Sequence, residues 1–226
     1  MKNLLYIGAS GGVGQKLIPL LSKKYNIIGH YNKNKPEYPI ESYRADVTNF
    51  SKVNDMIERI MSNHDTIDIL INSAGISING FAHKSDVNIW KKTIDVNLIG
   101  SYNTIRATLP HMRHNRFGRI INFSSIVGCR PVFGTSAYSS SKSGLEGLTK
   151  SVSIENISKG VTCNNIALGY FDAGMLYSIE NEILQRIIQN IPLKRPGTID
   201  ELHNAITFII DTEYFTGQTL QITGGI

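Results

Sequence analysis

The chain has 226 residues, 41% hydrophobic and 18% charged, with 20 glycines and 7 prolines, a composition that suits one ordinary globular core and excludes collagenous, disordered and disulfide-scaffold classes. Its 23 Lys and Arg against 18 Asp and Glu give a net charge of +5, which favours acidic partners, but the basic residues are scattered and form no run of the kind that binds nucleic acid. Cys129 and Cys163 make no CxxC pair, so they are expected as small apolar fillers rather than as a disulfide or a zinc site.

Short β-rich runs alternate with helix-length amphipathic segments along the whole chain, the pattern of βαβ units on a parallel sheet. Strands are predicted at residues 4–7, 27–31, 42–45, 67–71, 119–123, 161–166 and 220–222. They predict one α/β domain over residues 1–226, a doubly wound Rossmann fold with a seven-stranded, mostly parallel sheet, helices on both faces and a ligand crevice outside the carboxyl ends of the strands. The first strand leaves no room before it for a targeting peptide, and no apolar stretch approaches the ~18 residues of a membrane span. A cytoplasmic protein without membrane attachment is the expectation.

In chain order, the first signal is Gly8-Ala9-Ser10-Gly11-Gly12-Val13-Gly14, between the first strand and the first helix. Glycine there allows positive φ in a tight turn and a close approach of backbone to a pyrophosphate at a helix N-terminus. The spacing differs from GxGxxG, and a glycine-rich turn that binds nothing stays open at this point. Pro19 falls inside the first helix and predicts a kink. The second strand ends in His30-Tyr31-Asn32-Lys33, without the carboxylate that would bind an NAD ribose. Tyr31, Asn32 and Lys33, with Lys35 near, instead suit a 2′-phosphate, so NADP(H) is preferred, NAD(H) is the alternative, and a merely solvated loop is the bland reading. Residues 32–39 read as a connection within the sheet rather than a domain boundary.

Val53, Ile57 and Ile60 share one helix face; Leu145, Leu148, Val152 and Ile154 recur near helical spacing in another. His111 and His114 have HxxH spacing but no third ligand, so a surface helix is preferred to a metal site. Phe81 and Trp90 are expected in the core or at a subunit interface. Tyr138 and Lys142 stand four residues apart on a predicted helix, thirteen residues after Ser125 at a strand end. The Tyr-Lys spacing alone carries little, since Tyr31 and Lys35 repeat it. With Ser125 across the crevice the chemistry is coherent: a cation such as Lys142, with an oxidised nicotinamide, lowers the phenol's ordinary pKa of ~10 so that Tyr138 exchanges a proton with a carbonyl or alcohol oxygen that Ser125 orients.

With these motifs the whole chain resembles the short-chain dehydrogenase/reductases. Gly8 to Gly14 matches the family's TGxxxGxG turn except for Ile7; Asp46-Val47 matches its adenine-contacting acid; Asn72-Ser73-Ala74-Gly75 matches NNAG with Ser73 replacing the second Asn; Asn97 matches its catalytic asparagine. The resemblance implies Tyr138 as general acid/base, Ser125 as orienting hydroxyl, Lys142 as charge and ribose ligand, and Asn97 as holder of a relay water. It implies cofactor contacts from Gly8, Ser10, Gly11, Gly12, Val13, Gly14, Asp46, Val47, Asn72, Ala74, Gly75, Tyr138, Lys142 and Gly169. The family's PG motif becomes Leu168-Gly169 and its following Thr becomes Ala173, which leaves Gly169 able to pass the nicotinamide but removes a hydroxyl contact. Residues 170–195 correspond to an apolar substrate lid bearing Tyr170 and Met175.

Within the family the chain resembles 3-oxoacyl-acyl-carrier-protein reductases of fatty acid biosynthesis, whose two basic carrier-docking residues fall at Arg116 and Lys159. The implied activity is NADPH-dependent reduction of a 3-oxoacyl thioester, on acyl carrier protein or CoA, by a homotetramer, or a homodimer, built on the helices bearing Asn97 and Tyr138. A dehydrogenase of a sugar, polyol or other alcohol is the runner-up, and a non-catalytic NADP sensor the reading from another class.

Overall fold

The computed structural model describes the backbone of residues 1–226 and every side chain except those of Met175 and Ser178. Its framework follows from strands apolar on both faces. In β1 (Lys2–Ile7), Leu4 and Tyr6 enter one core while Leu5 and Ile7 enter the other, as the period of two requires. Each fully buried Leu or Ile side chain there contributes about 2 kcal/mol.

The other elements are α1 (Gly12–Leu21), β2 (Tyr25–Tyr31), β3 (Glu41–Arg44), α2 (Phe50–Asn63), β4 (Ile69–Asn72), α3 (Val87–Ile94), α4 (Gly100–Asn115), β5 (Gly118–Ser125), α5 (Ser136–Asn156), β6 (Val161–Leu168), α6 (Asn181–Asn190), α7 (Ile199–Asp211) and β7 (Thr219–Ile222). The strands form one sheet in the order β3-β2-β1-β4-β5-β6-β7, and every neighbouring pair is parallel. α2, α4 and α5 pack on one face and α1 and α7 on the other. The order reverses at β1, between β2 and β4, which opens a crevice at their carboxyl ends.

All seven predicted strands are present with shifted ends; β5 and β6 run on because Ser124 and Ser125 stay in register with Ala167 and Leu168. α1 continues through Pro19 to Leu21, its core face kept by Leu17, Ile18 and Leu21. Two expectations of burial are corrected, those for Ile154 and Cys129. Ile154 is 80% exposed, because its spacing from Val152 turns it away from the core. Phe81 lies on an exposed loop, whereas Trp90 is half-buried. Cys163 is buried, but Cys129 is exposed and its thiol lies 3.2 Å from Glu146 Oε1. His111 faces Glu58 across α2 and α4, 3.7 Å apart. Among the described residues no helix is long and apolar enough to cross a membrane.

Candidate active site

The first half of the crevice is made where β1, β2, β3 and β4 end. Gly8 turns the chain at φ +87, and a Cβ there would stand 2.8 Å from the Ala74 nitrogen, so only glycine lets the two strand ends approach this closely. Gly14 packs as tightly on Ala9, where a Cβ would meet the carbonyl oxygen at 2.7 Å. α1 begins at Gly11 with no side-chain cap and no acid in its first turn, so its first N–H groups are left for an anion. The turn borders a cleft of about 400 Å³ that also takes in Asn32, Lys33, Asp46, Val47 and Gly75. Asp46 Oδ1 holds the Thr48 amide and hydroxyl, at 3.0 and 2.8 Å, which fixes the shoulder after β3.

Six residues of this cleft are not among the predicted cofactor contacts: His30, Asn34, Ser73, Ile76, Lys92 and Val96. Lys92 and Val96 are four apart near the junction of α3 and α4, so helical spacing from Asn97 backwards is the signal that finds them. Conversely, Asn72 does not face the cleft. It is buried, donates to Asn122 Oδ1 at 2.9 Å and accepts from the Thr104 hydroxyl at 2.7 Å, because alternation along β4 turns it into the helix layer. Tyr31, Gly12, Val13 and Gly169 also lie outside the cleft lining.

The second half brings the four predicted catalytic residues together. β5 ends at Ser125, and its last residues are stitched to α5: the Ser124 hydroxyl donates to Lys142 O at 3.1 Å and Lys142 Nζ donates to Phe123 O at 2.6 Å. That ammonium is buried and lies 5.6 Å from the centre of the Tyr138 ring. Asn97 sits in a π-helical turn, Asp95–Ile99, that joins α3 to α4, a helical irregularity often found at functional positions. Its amide accepts from Ile76 N at 2.8 Å and donates to Ile76 O at 2.9 Å and to the Ser141 hydroxyl at 3.0 Å. The Ser141 hydroxyl in turn donates to Tyr138 O at 2.7 Å. A Cβ on Gly75 would stand 3.3 Å from Asn97 Oδ1 and 3.7 Å from Lys142 Nζ, so this glycine joins the two halves.

Burial pushes the Lys142 ammonium down to about 8. It also pushes the Tyr138 phenol up, against a smaller lowering by the Ser125 hydroxyl. The expectation that Lys142 lowers the phenol is thus not met by the chain's own groups, since burial raises it and the smaller lowering comes from Ser125 rather than from the cation.

A family model described as enoyl-(acyl carrier protein) reductase matches residues 29–226. The chain is 32% identical over 240 residues to the 3-oxoacyl-[acyl-carrier-protein] reductase of Staphylococcus epidermidis, covering 100% of this chain and 98% of the relative. The chain belongs to the short-chain dehydrogenase/reductase family. It is 34% identical over 232 residues to the acetoacetyl-CoA reductase of Shinella zoogloeoides, with 98% and 96% covered. The ligand-free aldohexose dehydrogenase of Thermoplasma acidophilum superposes with a TM-score of 0.91 at 26% identity, over 99% of this chain and 93% of that one. As a short-chain dehydrogenase/reductase the protein is an oxidoreductase that takes a nicotinamide cofactor. The glycine cradle at Gly8 and the uncapped start of α1 fit that group.

Other residues singled out in the sequence lie outside the cleft lining, although Gly169 directly follows Leu168, the strand partner of Ser125. Gly169 packs on the β7 end, where a Cβ would meet Thr223 Cα at 2.8 Å, so its lack of a side chain serves that contact. Tyr170 borders a small cavity of about 60 Å³ with Leu193 and Gly224. The Met175 side chain is outside the described residues. Arg116 and Lys159 precede β5 and β6, and because these strands run parallel, both lie at the amino edge of the sheet, about 25 Å of strand from Ser125. Neither residue therefore borders the cleft in its own chain.

The segment after β6 closes over the glycine turn. Gly174 fills the space where a Cβ on Gly12 would sit, only 2.6 Å from its Cα. Lys16 on α1 reaches Asp172 O at 2.6 Å and the Tyr177 hydroxyl at 3.1 Å, while that hydroxyl donates to the Asp172 carboxylate.

Proposed function

We propose that the chain reduces the carbonyl of a 3-oxoacyl thioester to a secondary alcohol with NADPH. The observation that carries this reading is the meeting of Ser125, Tyr138, Lys142 and Asn97 at one strand-end crevice, in a chain whose full-length relatives are named as reductases of such substrates. The dinucleotide, when bound, supplies the hydride. Gly8, Gly11, Asp46 and Lys33 would hold it, with Lys33 facing the 2′-phosphate.

Tyr138 donates its phenolic proton to the carbonyl oxygen as that oxygen gains negative charge, and the Ser125 hydroxyl donates a hydrogen bond that orients the same atom. Lys142, depressed to about 8 by burial, holds its proton at neutral pH and returns one to the phenolate. Asn97 orients the path by which Lys142 is reprotonated. The apolar residues Leu184, Ile187 and Ile188 of α6 suit an acyl substrate, and the carrier assignment does not rest on Arg116 or Lys159. Exposed Tyr102 on α4 and Ile154 on α5 support assembly as a homotetramer through these helices.

Reduction or oxidation of a sugar or polyol is the second reading, favoured by the aldohexose dehydrogenase likeness and by Leu168 and Ala173, which stand where the family's Pro and Thr would. Following NADPH and NADH absorbance with acetoacetyl thioesters and with a panel of sugars separates the two. Turnover of the thioester with NADPH well above NADH is the expected result. Folded, dinucleotide-binding protein that turns over only sugars overturns the thioester reading.

A further inference from the structure

His30 is 2% exposed, at the carboxyl end of β2 in register with Ile7 of β1 and Tyr43 of β3. Both of its ring nitrogens are engaged by backbone. Nε2 lies 3.0 Å from Ala45 O, and because a carbonyl oxygen only accepts, the hydrogen is on Nε2. That tautomer leaves Nδ1 as an acceptor, and the Gly8 N–H donates to it at 3.2 Å. The carbonyl of His30 accepts from the next amide of the turn, Ala9 N, at 2.9 Å. One residue therefore holds the first two N–H groups of the glycine turn and, through Ala45, the shoulder that carries Asp46 and Val47. The imidazole also lines the cleft between them.

We propose that His30 is a positioning residue for the dinucleotide: its neutral ring sets the distance between the Gly8 turn and the Asp46 shoulder, the two walls between which the adenosine diphosphate half lies. The proposal rests on the reading of this cleft as the dinucleotide site and is independent of the substrate and of the choice between NADPH and NADH. The atoms that His30 holds are backbone atoms of the turn, which both dinucleotides meet alike. Removing the ring weakens both equally, whereas a change at Lys33 falls on NADPH alone.

The test is the dissociation constant of each dinucleotide, from the change in nucleotide fluorescence on binding, for wild type and for His30→Leu, His30→Asn and His30→Gln, with circular dichroism to establish folding. Asn places its amide oxygen near the position of Nδ1 and keeps the Gly8 bond; Gln reaches toward Nε2 and keeps only the Ala45 bond. His30→Leu is expected to raise both constants about 10-fold, the cost of leaving a buried N–H without its acceptor, with kcat at saturating dinucleotide unchanged. His30→Asn recovers most of that loss and His30→Gln does not. Equal affinities in wild type and His30→Leu, or equal recovery by Asn and Gln, overturn the proposal. If His30→Leu does not fold, the contrast between Asn and Gln decides. Wild type that binds neither dinucleotide overturns the reading of the cleft itself, an outcome distinct from wild type that binds both and is indifferent to His30.

Discussion

The crevice has one wall tied into the sheet and one laid over it. On the α5 side Lys142 and Asn97 are buried, and each is held by hydrogen bonds to backbone or to neighbouring helices. Behind them Asn72, Asn122, Asn165 and Thr219 stand in register across four strands. Asn122 donates to the Thr149 hydroxyl at 2.9 Å, which donates to Asn165 Oδ1 at 2.6 Å, so α5 is fixed to the strands that carry the site. On the other side α6 has no buried residue, though its apolar positions share a face. The segment leading to it is latched by Lys16, whose side chain is 41% exposed. The difference teaches that the wall bearing Ser125, Tyr138 and Lys142 is held by buried hydrogen bonds, while the segment laid over the cleft rests on contacts of small net worth.

The largest effect belongs to the rigid wall. Tyr138→Phe is expected to lower turnover by about 10³-fold or more while dinucleotide affinity stays near wild type; retained turnover with a thioester would remove Tyr138 from its role. Asn122→Leu leaves the buried Asn72 amide N–H without its acceptor and the Thr149 hydroxyl oxygen without its donor and is expected to cost about 3 kcal/mol, read as a shift of the denaturation midpoint. A midpoint unchanged by that substitution would deny the amide row its part in fixing α5.

Lys142→Met tests the same wall by pH. The folded pKa of about 8 lies below the ordinary lysine value of 10.5, so between these limits the unfolded chain binds more protons and stability rises with pH. Below about 8 the buried charge costs up to about 3 kcal/mol, and the Met variant is expected to gain stability there relative to wild type, the gap closing toward the ordinary lysine value. Denaturation curves of the two proteins across that range check the sign. The smallest effect is expected at the lid. Lys16→Ala should leave folding intact and change KM by no more than about threefold, and a loss of kcat comparable with that of Tyr138→Phe would show that the two walls are not separable.

The strands and the grouping of Ser125, Tyr138, Lys142 and Asn97 were legible because each stands at a strand end or on a strongly periodic segment, where local pattern and tertiary position agree. Asn72 was not, since a strand end says nothing of which way the last side chain points; parity along β4 sends it into the amide row. His30 escaped notice because its partners are backbone atoms of residues 22 and 15 positions away, and no motif records a bond to a main-chain amide. Arg116 and Lys159 resemble the family's docking residues by their place before a strand, but only the parallel sense of β5 and β6 tells which edge of the sheet they occupy. The depressed Lys142 and raised Tyr138 follow from burial, a tertiary quantity.

The central place of β1 orders the assembly of the site in time. Gly8 meets Ala74 across a junction of β1 with β4, and His30 and Asp46 come from between them in sequence, so the walls of the cleft around the Gly8 turn are encoded before residue 76, and only Ile76, Lys92 and Val96 of its lining come later. The wall bearing Ser125, Tyr138 and Lys142 waits for β5 and α5, and the segment over the glycine turn for everything through β6. A chain emerging from the ribosome therefore completes most of the Gly8 half while Ser125, Tyr138 and Lys142 are still unmade, with β4 left as an open edge until β5 arrives.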